Sequence, residues 1–205
     1  DGNIESREGC LLPGPGAFGL RDCLRQTALD LVQLVRVLRN GLDIDGDGNV
    51  DFDASRIYYA GQSLGALYGT LFSALEPEVR AAALNVGGAT VMDAARWSPS
   101  FHSVTRDFLA ARTPSLLNAG GDFNEDYVLR DEPVKTNEIP GAIEIQNLFE
   151  TSEWLQMLGD PIAYASHLKL APLAGSGPKR VLWQFARGDR TVPNPQNSAL
   201  IRAAG

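Results

Sequence analysis

The stretch that decides the fold is Arg56-Ile-Tyr-Tyr-Ala-Gly-Gln-Ser-Leu-Gly65, together with the apolar segment that follows it. Residues 56–60 are β-branched and aromatic and lie between turn formers, which predicts a short buried strand. Residues 66–75 read Ala-Leu-Tyr-Gly-Thr-Leu-Phe-Ser-Ala-Leu, which is long and apolar enough to predict a buried helix. Ser63 is therefore expected at a turn from a strand into a helix.

The two glycines that flank this serine, Gly61 and Gly65, are typical of a nucleophile elbow. Such a sharp turn pushes the serine hydroxyl into the open, and larger flanking side chains would collide with the strand and the helix. Ser63 would lie at a helix N-terminus, where free N–H groups such as that of Leu64 stabilise a developing oxyanion. The alternative is a structural turn in which Ser63 only caps the helix.

The acidic segment after the first predicted helix, Asp43-Ile-Asp-Gly-Asp-Gly-Asn-Val-Asp51, predicts a structural calcium site. Oxygen ligands at alternate positions with interspersed glycines are how a short loop wraps this ion. The predicted ligands are Asp43, Asp45, Asp47, the carbonyl of Asn49, and Asp51. Ala54 stands where an EF-hand has its glutamate, and a strand follows, so a further ligand must come from Asp53, from elsewhere or from water. The alternative is a solvated acidic turn.

The composition is that of one folded domain with a sizeable core. The 205 residues are 44% hydrophobic and 21% charged, which is ordinary for a globular protein. The net charge of −7 lacks the basic footprint of a nucleic-acid-binding protein, so no nucleic-acid partner is expected. Cys10 and Cys23 flank a loop rich in glycine and proline, and we expect them to form a disulfide, which would add roughly 3 kcal/mol in the chain-entropy model. The alternative is two ordinary thiols.

The remaining pattern predicts an α/β chain in three parts. A first helix is expected from residue 21 or 22 to residue 40, and further strands over residues 79–86 and 179–186. The apolar face of this helix is formed by residues that repeat at helical spacing: Leu24, Ala28, Leu31, Val35 and Leu38. Between these two strands we expect helices over residues 94–97, 104–111 and 143–158, interrupted by prolines that include Pro161. This connection is too long for a simple crossover, which predicts a cap or lid. The parts are residues 1–88 (core), 89–178 (cap) and 179–205 (core).

A serine nucleophile needs a base and an orienting carboxylate. Asp189 follows the last predicted strand directly, where a triad acid belongs in this kind of fold. The alternative is a turn aspartate that caps Thr191 and Val192. Asp122 and Asp160 are weaker rivals, because neither follows a clear strand.

The base is not evident in the sequence. The two histidines, His102 and His167, both precede Asp189, and we interpret each as a surface or packing residue. A second oxyanion donor is also missing, since nothing before the first helix predicts the strand that would carry it. We therefore expect the chain to lack both ends of a complete hydrolase, with the histidine on a companion chain or a missing segment.

Two segments carry a resemblance to a known family. They are Asp51-Phe-Asp-Ala-Ser-Arg-Ile-Tyr-Tyr-Ala-Gly-Gln-Ser-Leu-Gly65 and Gln184-Phe-Ala-Arg-Gly-Asp-Arg-Thr-Val-Pro-Asn194. With the aspartate-rich loop, they resemble secreted bacterial lipases and esterases of the α/β-hydrolase superfamily, the virulence-factor lipase group. The resemblance implies Ser63 as nucleophile, Asp189 as acid, carboxylic-ester substrates and a secreted or cell-envelope location.

The sequence thus predicts an α/β-hydrolase fold, a mostly parallel sheet flanked by helices with a helical cap, that cleaves esters through an acyl-enzyme. One alternative keeps the fold and changes the chemistry to that of a peptidase or thioesterase. Another is a non-catalytic, calcium-stabilised binding domain of hydrolase ancestry, which the absence of a late histidine favours.

Overall fold

The structure is a computed structural model, and it describes residues 17–128 and 132–205. Within this part the chain forms seven α-helices and three β-strands. They are α1 (Ala17–Arg39), β1 (Ile57–Gln62), α2 (Leu64–Leu75), β2 (Val79–Asn85), α3 (Val91–Trp97), α4 (His102–Ala110), α5 (Ala142–Gln156), α6 (Pro161–Lys169), β3 (Arg180–Gln184) and α7 (Asn194–Ala204). Cys10 lies outside the described residues, so its disulfide with Cys23 stays a prediction.

The three strands form one parallel sheet in the order β1-β2-β3, which confirms the predicted α/β class. Parallel strands present their carboxyl ends at the same edge, so the chain leaves β1, β2 and β3 on one side of the molecule. Ser63 follows β1 there, and the loop that carries Asp189 follows β3. The strand order therefore brings the two predicted catalytic segments to a common edge.

One face of the sheet packs against α2. Tyr59, Ala82, Leu84 and Trp183 alternate with outward-facing residues along the three strands and surround Ala66 of the helix. Small residues at the centre of this layer let the helix lie close to the sheet. On the opposite face, side chains are open to solvent, Tyr58 being 63% and Leu182 57% exposed. The sheet therefore contributes to the core through the face that packs against the helices.

Helix α1 buries the face that its sequence spacing predicted. Leu24 and Ala28 are fully buried and Val35 is nearly so, and α1 packs against α2 around Leu71 and Phe72. None of the helices within residues 17–128 and 132–205 combines the length and hydropathy needed to span a membrane.

Pro161 lies at the predicted break between two helices, because α5 ends before it and a new helix begins at it. Pro161 is the first residue of α6, with Asp160 at the N-cap position before it. Proline suits this position because its missing N–H would have no intrahelical acceptor there. α6 packs against α2 and α7, and Ala165 joins Ala89 and Leu200 in a small apolar cluster. The division into core and cap stays a prediction.

A buried ion pair joins the helices between β2 and β3. The guanidinium of Arg96 on α3 is 4% exposed and donates to Glu125 at 2.6 Å and to Glu150 of α5 at 3.1 Å. The guanidinium also lies 5.3 Å from the ring centre of Phe149. This pairing fixes α3 against α5 beside the apolar cluster of Leu109, Ile145 and Phe149.

The turn between α2 and β2 is held by a buried lysine. Lys179 is 8% exposed, and its ammonium group donates to the carbonyls of Glu76 (2.8 Å), Pro77 (3.0 Å) and Val79 (2.9 Å). Burial lowers the pKa of Lys179, while the carboxylates of Glu76 and Glu78 act in the opposite direction. Lys179 thus ties the start of β3 to the end of α2 and the start of β2.

Replacing this lysine tests the role of the contact. Lys179→Met would leave three carbonyls without their charged donor, so we expect the free energy of unfolding to fall by ~3 kcal/mol. Urea denaturation would measure it. Arg202→Met, at an exposed position on α7, is the matched control and should change stability little. Equal stability of the two variants would contradict this role.

Candidate active site

Ser63 adopts a strained backbone conformation at the end of β1. Its φ of 51° and ψ of −118° place a non-glycine residue outside the usual allowed regions, a feature that concentrates at functional sites. The N–H of Ser63 donates to the carbonyl of Asn85 on β2 at 2.9 Å, which holds the turn in place. Its side chain makes no capping hydrogen bond, and the residue is exposed. The alternative role of Ser63 as a helix cap therefore does not describe its side chain.

The two glycines around Ser63 differ in how strongly the turn requires them. A Cβ on Gly61 would lie 2.4 Å from the carbonyl oxygen of Gly65 and 2.8 Å from the ring of Tyr59, so only glycine fits. A Cβ on Gly65 would meet its nearest neighbour, the hydroxyl of Tyr68, at 3.6 Å, an ordinary contact. The steric requirement predicted for both positions thus holds at Gly61 alone.

Tyr59 of β1 joins the strand to helix α2 beside the turn at Ser63. Its hydroxyl donates to the carbonyl of Gly65 at 2.5 Å, and burial raises its pKa. A Cβ on Gly69 would lie 2.1 Å from the ring of Tyr59, so this glycine opens the space that the ring fills. The ring also meets Phe72 edge-on, with 5.4 Å between ring centres. Strand β1 and helix α2 are consequently locked together on both sides of Ser63.

Ser63 borders a cavity of about 280 Å³ with a mainly apolar lining. Its wall is formed by helices α1 to α5 and α7 and by the loop after β3. The lining residues include Leu20, Leu64, Leu67, Val91, Met92, Val104, Phe108, Phe149, Val192 and Gln196. Leu20 is 6% and Phe149 2% exposed, so part of the wall is deeply buried. The arrangement can hold an apolar group next to a free hydroxyl.

Leu64 adjoins Ser63 on the helix side. It is the first residue of α2, and the first N–H groups of a helix have no intrahelical acceptor. The N–H groups of Ala66 and Leu67 donate to the carbonyl of Ser63 at 2.8 and 3.0 Å. The position of Leu64 therefore fits the predicted oxyanion donor, a role that stays a prediction.

Asp189 forms a tight turn in the loop after β3. Its Oδ1 accepts hydrogen bonds from the N–H groups of Thr191 (2.7 Å) and Val192 (3.0 Å), which are the bonds of the alternative interpretation as a turn aspartate. Oδ2 takes no part in these bonds. The turn places Thr191 and Val192 in the wall of the Ser63 cavity. Asp189 thus shapes the cavity, and its role as triad acid stays a prediction.

Among the described residues that line the cavity there is no histidine. The Nε2 of His102 lies 2.9 Å from Oδ2 of Asp122, and the ring stacks on Phe123. This hydrogen bond is the main reason that the pKa of Asp122 is lowered. Nδ1 of His167 lies 2.7 Å from the carbonyl of Ala171, at the end of α6. These contacts fit the interpretation of both histidines as surface or packing residues.

Asp160 is a buried carboxyl group close to the cavity. Its Oδ1 accepts from the N–H of Val91 at 3.0 Å, whereas Oδ2 is buried without a partner in the described part of the chain. Burial raises the pKa of Asp160 to about 8, and the nearby carboxylates of Glu153 and Asp93 act in the same direction. Sequence reasoning ranked Asp160 only as a rival acid. The Asp-Pro pair was a helix-start signal that would have located its carboxyl at an N-cap.

The cavity wall was not predictable from the sequence. Gln196 is 1% exposed and lines the cavity, and its Nε2 is buried without a partner among the residues described. Its position in the first turn of α7 carries no motif. The apolar residues of α3 and α4 similarly do not signal which of them face Ser63, since a short amphipathic helix can turn its apolar side to any neighbour.

The acidic loop brings three of its predicted calcium ligands together. One carboxylate oxygen each of Asp43, Asp45 and Asp51 lies within 4.8 Å of the others, and all three residues are exposed. Asp47 is outside this group, and its carboxylate accepts from the N–H of Asn49 at 2.8 Å. Asp53, considered as an extra ligand, instead binds Ser55 and Arg56. Hard oxygen donors of this kind suit calcium.

Asp160 gives a test of pH dependence. Between its unfolded pKa of about 4 and its folded pKa of about 8, the unfolded chain loses the proton that the folded chain keeps. The free energy of unfolding should therefore fall as pH rises through this range, by up to ~1.4 kcal/mol per pH unit from this group. Asp160→Asn keeps the acceptor for Val91 and removes the ionisation, so it should flatten the decline and be the more stable protein at pH 8.

Urea unfolding at pH 4.5, 6 and 8 would measure this difference. Asp30→Asn, at an exposed position on α1, serves as the control. A pH slope in Asp160→Asn equal to that of the unaltered protein would show that Asp160 is ionised in the folded state.

Comparisons of this chain with protein-family models, with curated proteins and with solved structures returned no match. The site is therefore interpreted from its own geometry and from the resemblance of its two sequence segments.

Proposed function

We propose that this protein is a serine hydrolase that cleaves carboxylic esters through an acyl-enzyme on an α/β-hydrolase framework. The observation that carries the proposal is Ser63 itself, an uncapped hydroxyl on a strained strand-to-helix turn at the border of an apolar cavity. Strain at a single residue persists only where its surroundings hold it, and this turn is held by Asn85 and Tyr59.

In the proposed reaction, Oγ of Ser63 attacks the ester carbonyl carbon while a base accepts the hydroxyl proton. The N–H of Leu64 and the positive end of the α2 dipole stabilise the oxyanion. The alcohol leaves with the proton from the base, and water then releases the acid from Ser63. Asp189 would orient the base through its carboxylate.

The base is the part of the proposal that the described residues do not supply. His102 and His167 are engaged elsewhere and lie outside the cavity wall. We keep the sequence-based hypothesis of a histidine on a companion chain or a missing segment. Helices α3 to α5 would act as the cap, because they supply much of the lining of the cavity that Ser63 borders.

The acidic loop would bind calcium in a structural role. It connects α1 to β1, so an ion held by Asp43, Asp45 and Asp51 would fix the path of the chain into the elbow. Without a cation, three carboxylates this close repel one another. The expected location, secreted or at the cell envelope, rests on the resemblance alone.

One alternative function has a specific observation in its favour. No histidine of the described chain lines the cavity, as expected for a non-catalytic binding domain of hydrolase ancestry. Peptidase or thioesterase activity on the same fold differs only in the bond cleaved, and a panel of ester, thioester and amide substrates separates these options.

Ser63→Ala tests the nucleophile. A fluorophosphonate probe should label the unaltered protein at Ser63 and leave Ser63→Ala unlabelled, and the variant should lose hydrolysis of p-nitrophenyl esters by a factor of about 10³ or more. Ser152→Ala, at another serine of the cavity wall, is the control and should remain labelled. Undiminished labelling of Ser63→Ala, located by peptide mass, would place the reactive group elsewhere. A protein that stays unlabelled together with the chain or segment that carries the histidine would favour the binding-domain alternative.

Calcium is tested by thermal unfolding. Calcium at about 100 times its Kd should stabilise the protein by ~2.7 kcal/mol and raise its melting temperature, with chelation reversing the effect. Asp45→Asn should weaken this response, because it removes one negative ligand. Asp53→Asn is the control, since Asp53 is bonded to Ser55 and Arg56. If neither calcium nor chelator changes the melting temperature, the calcium site is contradicted and the acidic loop is a solvated turn.

A further inference from the structure

The cavity beside Ser63 has the size and lining of a binding site for one hydrocarbon chain. We infer that it holds the acyl group of the substrate, and that it selects acyl chains of medium length, with about nine carbons filling it. This inference rests on the proposed function for its link to Ser63, but the binding site can be tested without catalysis.

The volume sets the length of the chain. A methylene group fills about the same space as a water molecule in the liquid, roughly 30 Å³. The 280 Å³ cavity therefore holds about nine such groups. Longer chains would have to leave a tail in water, where further methylene groups gain no burial.

The lining is suited to an apolar chain because it is mainly apolar and its threonine hydroxyls are already engaged. The hydroxyl of Thr105 donates to the carbonyl of Ala95 at 2.8 Å, and the hydroxyl of Thr90 accepts from the N–H of Asp93 at 3.1 Å. Both hydroxyls therefore have partners within the protein and need none from a ligand. Gln196 differs from the threonines: its Nε2 has no partner among the described residues, and its side-chain oxygen lies at Gly88, on the α7 side of the wall.

The cavity fits the acyl group better than the alcohol. The acyl group stays bonded to Ser63 between the two steps, so buried contacts can hold it throughout, whereas the alcohol has to leave after the first step. Deeply buried residues such as Leu20 and Phe149 form part of the wall, while Ser63 itself is exposed. The chain would extend from Ser63 into the buried region, and the alcohol would remain on the open side.

Two residues of α4 are placed to set the chain length. Val104 is 38% and Phe108 42% exposed, and both line the cavity one helical turn apart. They form the boundary between the cavity and solvent, so their size decides how much of a chain is covered. Because both are partly exposed, they can be changed with little damage to the core.

The experiment measures binding of saturated fatty acids to Ser63→Ala by calorimetry, with chains of four to sixteen carbons below their micellar concentrations. Each added methylene should tighten Kd about fourfold, equivalent to ~0.8 kcal/mol, and the gain should stop near about nine carbons. Absence of binding, or a gain that continues unbroken to sixteen carbons, would overturn the inference.

Variants of α4 locate the binding site. Val104→Trp should bring the plateau to shorter chains, and Phe108→Ala should move it to longer ones by about two carbons or more, because a phenyl ring occupies more room than two methylene groups. Ser103→Trp, an exposed position on the same helix outside the cavity wall, should leave the plateau unchanged. If either α4 variant fails to fold, as judged by circular dichroism, the other still decides the result. An unchanged plateau in a folded variant would place the chain elsewhere.

Failure of this inference is distinct from failure of the proposed function. Fluorophosphonate labelling reports on Ser63 regardless of chain length, and fatty-acid binding reports on the cavity regardless of catalysis. A labelled serine without a chain-length plateau would leave an esterase with a different acyl site. A plateau without labelling would leave a binding protein for medium-chain acids.

Discussion

The rest of the site depends on the way β1 and α2 hold the backbone of Ser63 in a strained conformation. The N–H of Ser63 is fixed by Asn85 of the neighbouring strand, and the carbonyl of Gly65, two residues on, is fixed by the hydroxyl of Tyr59. A strained residue costs of order 1–3 kcal/mol and persists only where surrounding contacts outweigh this cost. Gly61 is required for the same reason, since any side chain there would strike the carbonyl of Gly65.

The parallel sheet and the segment between β2 and β3 each form a different part of the site around Ser63. The sheet brings the ends of β1, β2 and β3 to one edge, while α3, α4 and α5 supply much of the lining of the cavity that Ser63 borders. The loop after β3 joins the two parts: Ser98 donates to the carbonyl of Arg190 at 2.8 Å, and the hydroxyls of Ser100 and Thr191 lie 3.1 Å apart. The cavity therefore belongs to neither part alone.

Buried charged and ionisable groups hold the backbone segments around this cavity in place. Lys179 satisfies three backbone carbonyls, and Asp160 accepts from Val91, which lies in the cavity wall. Burial favours the neutral form of each, which lowers the pKa of the lysine and raises that of the aspartate. Arg96, in contrast, is matched by carboxylates of Glu125 and Glu150 and remains a charged centre between α3 and α5. Buried polarity here fixes the connections between elements.

The sequence by itself determined the local features: the strand–turn–helix at Ser63, the buried face of α1, the aspartate after β3 and the α/β class. These follow from periodicity and from glycine and proline positions, which act over a few residues. Only the tertiary structure decided which side chains line the cavity, where His102 and His167 point, and that Asp160 is buried against a residue 69 positions away in the chain. Such contacts arise from the packing of elements that are distant in sequence. A local sequence pattern does not indicate which apolar face packs against which neighbouring element. The turn at Ser63 could therefore be predicted from the sequence, whereas the lining of the cavity beside it could not.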